Sequence, residues 1–133
     1  MEMQAVRDRT VPDTRRSRGA TAFRSGIAAE EAVARHYDRR GAPIAVSRWR
    51  GSAGEIDLVA REGAGVVFIE VKKAETHSEA AFRLSRRQMD RIYATAAEFL
   101  EGEPAGQLTD SRFDVALVDA FGRIEIIEHA FCG

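Results

Sequence analysis

The triplet Glu70-Val71-Lys72 sets a carboxylate and an ammonium two residues apart, at the end of the hydrophobic run Val66-Val67-Phe68-Ile69. Alternate side chains of a strand face the same way, so Glu70 and Lys72 project together while Val71 packs into the opposite layer. Burying both charges is unfavourable unless a partner, a metal or solvent offsets it. Asp57 sits on the preceding strand, Glu55 to Ala60, where alternation puts Ile56 and Leu58 on one side and Glu55, Asp57 and Val59 on the other. Gly63-Ala64-Gly65 joins the two strands as a hairpin, and pairing through that turn brings Asp57 near Glu70. Two carboxylates so close repel when ionised. A hard divalent cation resolves the conflict, and Mg²⁺ is commonly held by one or two carboxylates plus waters and substrate phosphates. Metal-assisted phosphodiester hydrolysis is the chemistry this small set can perform.

Lys72 then orients the attacking water and stabilises the charge that develops in the transition state. A lysine can shift its pKa when desolvated, which an arginine effectively cannot. Of the 20 basic residues 18 are arginine, and the two lysines are the neighbours Lys72 and Lys73, so this chain departs from its habit at this position. Glu30, on the first predicted helix, is a fourth candidate that could complete the acidic site, and its neighbour Glu31 is the solvent-facing alternative. Glu55 borders the site by strand parity. The plain alternative is that Glu70 and Lys72 form a solvated surface pair worth about 0–1 kcal/mol. The apolar run before them and the carboxylate on the adjoining strand favour a site.

These residues need a scaffold. Ala29, Val33 and Tyr37 recur every four residues and predict a helix over Gly26 to about Arg40, stopped by Gly41 and Pro43. Three strands follow: Ile44 to Arg48, Glu55 to Ala60, and Val66 to Lys73. A second helix, about Ser85 to Leu100, carries the apolar stripe Met89, Ile92, Tyr93, Ala96, Phe99 and Leu100. Strands at Phe113 to Val118 and Ile124 to Ile127 close the chain. The order αβββαβ, plus one terminal strand, predicts an α/β fold with a mixed sheet flanked by helices.

Length and composition agree with one soluble domain. The chain has 133 residues, 44% hydrophobic and 31% charged, with a formal net charge of −1. Bulk charge therefore does not mark a nucleic-acid binder, and local distribution must carry that case. Residues 1–24 hold six arginines against three acids, a balance of +3 that leaves −4 for the rest. They lack hydrophobic periodicity and read as a disordered basic tail, either a polyanion contact or a solubilising arm, ahead of a domain at 25–133. The single Cys132 excludes an internal disulfide, and no apolar run approaches membrane-spanning length, so a cytoplasmic protein with no membrane role is expected. His36, His77 and His129 lack metal-ligand spacing. No phosphate-cradling glycine motif or serine-hydrolase elbow is present.

Several basic groups suit a phosphate backbone: Arg35 and Arg39 on the first helix, Arg48 and Arg50 on the first strand, and Arg83, Arg87 and Arg91 spaced by four at the second helix. Trp49, between Arg48 and Arg50, is either a base-stacking aromatic or a core residue.

The segments Gly54-Glu55-Ile56-Asp57-Leu58-Val59, Val67-Phe68-Ile69-Glu70-Val71-Lys72 and Arg112-Phe113-Asp114-Val115 together resemble the bacterial YraN-like family. That family is similar to archaeal Holliday-junction resolvases and belongs to the restriction-endonuclease-like PD-(D/E)XK superfamily. The resemblance runs from about Gly26 to Phe131. It implies a restriction-endonuclease-like core, catalytic positions at Glu30, Asp57, Glu70 and Lys72, and Mg²⁺ or Mn²⁺ at Asp57 and Glu70. It also implies a supporting role for Arg112 and Asp114. Two positions depart from the family pattern: Ala74 stands where an arginine is frequent, and Gln88 where a helix lysine is frequent. Both are backbone-contacting positions by resemblance. The expected function is a metal-dependent endonuclease on DNA, branched or damaged, for which a homodimer would suit a symmetric substrate. The alternatives are a nucleic-acid-binding module without chemistry, in a repair, recombination or uptake assembly, and a protein-interaction domain.

Overall fold

The structure is a computed structural model and describes residues 14–73 and 85–130, residues 14–25 by their backbone alone. Ala74, His77, Arg83 and Cys132 lie outside the described residues, as do residues 1–13 of the tail expected over 1–24. The elements are α1 (Thr14–Arg39), β1 (Ile44–Arg50), β2 (Glu55–Glu62), β3 (Gly65–Lys73), α2 (Arg86–Leu100), a 3-10 turn (Gly106–Leu108), β4 (Ser111–Val118) and β5 (Ile124–Ile127). The αβββαβ order and the terminal strand are as the sequence predicts.

Helix α1 begins twelve residues earlier than the apolar spacing indicates, taking in residues 14–24 that composition assigns to the tail. Periodicity marks only the part of a helix that packs, and the stripe here starts at Ala29. Gly19 and Gly26 lie within this helix, where an isolated glycine costs only about 1 kcal/mol relative to alanine. The other end is as expected: Gly41, at φ +83, turns the chain out of α1.

The strands form one mixed sheet in the order β1-β2-β3-β4-β5. β3 and β4 are parallel, and the remaining neighbours are antiparallel. A two-residue turn at Gly63 and Ala64 closes the β2–β3 hairpin, with Gly63 at φ +61 where a side chain would be strained. The parallel pair is joined through α2, as parallel strands require a crossover.

Each face of the sheet carries one helix. Ala29, Val33 and Tyr37 of α1 pack on Leu58, Ala60, Val67, Ile69, Ala116 and Val118. On the other face, Ala96 and Leu100 of α2 pack on Ile56, Val59, Val66 and Phe68, while Ile92 meets Val115 and Leu117. β3 and β4 are thus buried on both faces, which accounts for their near-continuous apolar sequence.

One expectation fails informatively. Alternation puts Ile56 and Leu58 on one side, but Ile56 belongs to the α2 face and Leu58 to the α1 face. β1 shows the matching irregularity: Val46 and Trp49, three residues apart, share the α2 face, and Arg48 between them has φ +55. The neighbouring pairs Ser47↔Leu58 and Trp49↔Ile56 set Arg48 opposite Asp57. Both strands lose their alternation together there, a local kink that re-aims side chains without a change of register; the register shift of this pair lies between Ile44 and Val46.

Candidate active site

The kink opens the sheet. The β2–β3 ladder runs from Glu62↔Gly65 to Leu58↔Ile69 and stops. Beyond it the Asp57 side chain takes over, its Oδ2 accepting the Val71 backbone N–H at 2.8 Å. The carboxylate thus satisfies a backbone donor that a strand partner would otherwise meet. Asp57 is thereby tied to the Glu70-Val71-Lys72 segment.

Glu70 follows Val66 and Phe68 on the α2 face, buried at 7% exposure. Gln88, in the first turn of α2, donates from Nε2 to Glu70 Oε2 at 2.9 Å. Ser85 caps that helix, its hydroxyl accepting the Gln88 N–H at 3.1 Å, so one cap fixes the backbone of the residue that holds Glu70. Burial is the largest influence on the Glu70 carboxyl. With the neighbouring Asp57, which accepts a hydrogen bond from its protonated form, it pushes the pKa up to about 9; Lys72 and Gln88 oppose the shift. At neutral pH Glu70 therefore holds its proton unless another positive charge enters. Lys72, half-buried, lies on the same strand face two residues on.

Glu30 approaches from α1. Its Oε1 accepts from Arg48 Nε at 3.0 Å, across from the kink. Burial raises the Glu30 pKa, as do the charges of Asp57 and Glu55, while Arg48 lowers it. The structure therefore gathers Glu30, Asp57, Glu70 and Lys72 around the place where β2 leaves β3. Among the described residues no group of three carboxylate, histidine or cysteine side chains is arranged to hold a metal. Asp57 and Glu70 are the adjoining donors, each with one oxygen engaged by an internal N–H donor. That donor set fits an ion of the Mg²⁺ type, which completes its shell with water and substrate oxygens.

The remaining candidates are distributed as follows. Gln88, expected against a phosphate, is instead turned onto Glu70. Trp49 is half-buried and meets Phe99 edge-on at 5.3 Å, so its ring is a core element rather than a solvent-facing stacking surface. Arg50 pairs with Glu55 at 3.3 Å at the exposed end of the β1–β2 hairpin, which leaves Glu55 at the border of the site. Arg35 and Arg39 are exposed on α1, and Arg87 and Arg91 on α2, so these two groups lie on helices covering opposite faces.

Arg112 and Asp114 stand apart from the chemistry. Alternation sets Asp114 on the α1 face of β4, and it is 1% exposed. It accepts Tyr37 Oη–H at 2.7 Å, Arg112 Nε–H at 3.1 Å and the His129 N–H at 3.3 Å. Arg112 also reaches Glu62 at 2.6 Å. This knot ties α1, β2, β4 and the C-terminal segment together. Tyr37 reads in the sequence only as part of an apolar stripe, and no local signal announces a partner 77 residues away.

The sheet order, the helix on each face and the Asp57…Glu70-x-Lys72 set define the restriction-endonuclease-like PD-(D/E)XK class. Comparison with known proteins narrows this. The family model described as "Uncharacterised protein family UPF0102" matches residues 29–118. A UPF0102 protein of Cereibacter sphaeroides is 70% identical over 113 residues, which span 85% of this chain and 97% of the relative. A UPF0102 protein of Ruegeria pomeroyi is 56% identical over 115 residues, 86% and 94% of the two chains. One of Roseobacter denitrificans is 51% identical over 112 residues, 84% and 87%. The chain belongs to the UPF0102 family, the YraN-like family of that superfamily. No helix among the described residues is long and apolar enough to cross a membrane.

Proposed function

We propose that this protein is a metal-dependent endonuclease that hydrolyses phosphodiester bonds in DNA, branched or damaged DNA being the favoured substrate. The observation that carries this is the buried Asp57–Glu70 pair beside Lys72 at the gap in the sheet. A stability-driven fold gains nothing from two adjoining carboxylates, one of them forced to keep its proton. Asp57 and Glu70 hold Mg²⁺ or Mn²⁺, which when bound supplies Lewis-acid activation of the phosphate and of a water. Lys72 donates a hydrogen bond that orients the attacking water and then faces the charge gathering on the phosphate oxygens. Water adds through oxygen to phosphorus as its proton passes to bulk solvent, the bridging P–O bond breaks, and the leaving oxygen takes up a proton from solvent. Gln88 fixes the Glu70 carboxylate, and Ser85 fixes Gln88. Arg35, Arg39, Arg87 and Arg91 bind the backbone away from the scissile bond.

The test is cleavage of a labelled panel (single strand, duplex, flap, four-way junction) with Mg²⁺ or Mn²⁺. Asp57→Ala and Lys72→Ala run beside the parent, each checked for folding. Metal-dependent cuts lost in both variants are the expected result, and cutting that survives Lys72→Ala sinks the assignment. The second reading, a binding module without chemistry, rests on Ala74 and Gln88 at positions where related chains carry basic residues. It requires metal-independent binding that Lys72→Ala leaves unchanged.

A further inference from the structure

Arg48 is held in a conformation that L-residues rarely adopt. Its φ of +55 falls in the left-handed region, and it is a long side chain rather than a glycine or asparagine. Such strain persists only where the surroundings impose it, and it concentrates at functional sites. Strand register sets Arg48 opposite Asp57, at the kink where β2 departs from β3. Its Nε donates to Glu30 Oε1 at 3.0 Å, and the charges of Glu55 and Asp57 also act on it. A guanidinium therefore stands among three carboxylates on the side of Asp57 away from Glu70.

Phosphodiester-cleaving sites frequently use two divalent ions. Glu30 and Asp57 are the carboxylates that would hold a second ion here. We infer that Arg48 is a built-in cation that takes the place of a second metal ion between Glu30 and Asp57, so that the site works with one. The strained backbone is what directs this side chain to Glu30. As a positioning residue it also keeps Glu30 beside Asp57 despite their like charge. A permanently charged, non-titrating guanidinium suits that task across the whole pH range. This inference rests on the metal-site reading above and adds the number of ions and the residue that sets it.

The experiment counts bound Mn²⁺ by electron paramagnetic resonance, on the full chain without nucleic acid. Arg48→Gly is the informative variant, because glycine accepts the left-handed conformation and the fold should survive, or melt higher. The parent is expected to bind one Mn²⁺ per chain and Arg48→Gly two. Adding Glu30→Gln to Arg48→Gly should return the count to one, and Arg48→Lys, which keeps a positive charge, should stay at one. One ion in both parent and Arg48→Gly overturns the inference while leaving the Asp57–Glu70 site intact, and so do two ions in the parent. No ion in the parent removes the metal-site reading itself, and this inference with it.

Discussion

At the scale of the residue, Glu70 is the group whose environment says most. Its folded pKa, about 9, lies above its ordinary 4.5, so the folded state holds a proton that the unfolded state releases as pH rises. The stability this confers is fully present below about pH 4.5 and is lost progressively toward pH 9. Glu70→Gln removes that titration. In urea denaturation it should exceed the parent in stability at pH 8, with the gap narrowing toward pH 5; a gap that stays constant over this range would contradict the burial of a proton-holding carboxyl. A divalent ion competes for the same position, so its stabilising effect on the parent should grow with pH over the same window. Gln88 acts through Glu70. Gln88→Ala should weaken Mn²⁺ binding by about ten-fold or more, as loss of a supporting hydrogen bond to a metal ligand typically does. Unchanged affinity would reduce Gln88 to a surface residue.

At the scale of the element, the kink between β1 and β2 separates what was legible from what was not. The alternation of β3 gave Glu70 and Lys72 a common face, and the Gly63–Ala64 turn gave the hairpin. These are local signals with a period of two. The same rule misassigned Ile56 against Leu58, because an irregular strand loses its parity and no residue in Glu55–Ala60 announces the change. Trp49 was ambiguous for the same reason: its side of the sheet depends on the left-handed Arg48 before it. The Asp114 knot is likewise a tertiary fact, since its donors come from α1, β4 and the C-terminal segment. Its role is stability. Tyr37→Phe should cost about 1.5–3 kcal/mol, the range for a hydrogen bond to a charged group. Asp114→Ala should cost more, roughly 3–5 kcal/mol, because it leaves the largely buried Arg112 without its close carboxylate. Chemical denaturation measures both. A folded Tyr37→Phe that also loses metal binding would move this knot into the site.

At the scale of the whole molecule, the fold was readable because two helical and five strand patterns occur in an order few architectures accept. The extent of α1 was not, since its first turns carry no apolar stripe. The site's members were legible from type and spacing, and their convergence needed the structure. Charge is the property that belongs only to this scale. On the proposed function, a chain of net charge −1 would bind a polyanion through arginines on two helices that cover opposite faces of the sheet. Such binding should fall steeply with salt, by a log–log slope near −0.9 for each phosphate neutralised on duplex DNA. Reversing Arg87 and Arg91 to glutamate should flatten that slope, as fluorescence anisotropy would show. A slope near zero in the parent would exclude backbone contacts and favour a protein partner.

The measurement that reaches the central claim most directly is Mn²⁺ or Mg²⁺ binding to the purified chain by titration calorimetry at pH 8, beside Asp57→Asn and Glu70→Gln. Saturable binding in the parent, lost or greatly weakened in both variants while their folds persist, is the expected result. Binding that is absent from the parent, or that neither substitution changes, would contradict a metal site built from Asp57 and Glu70.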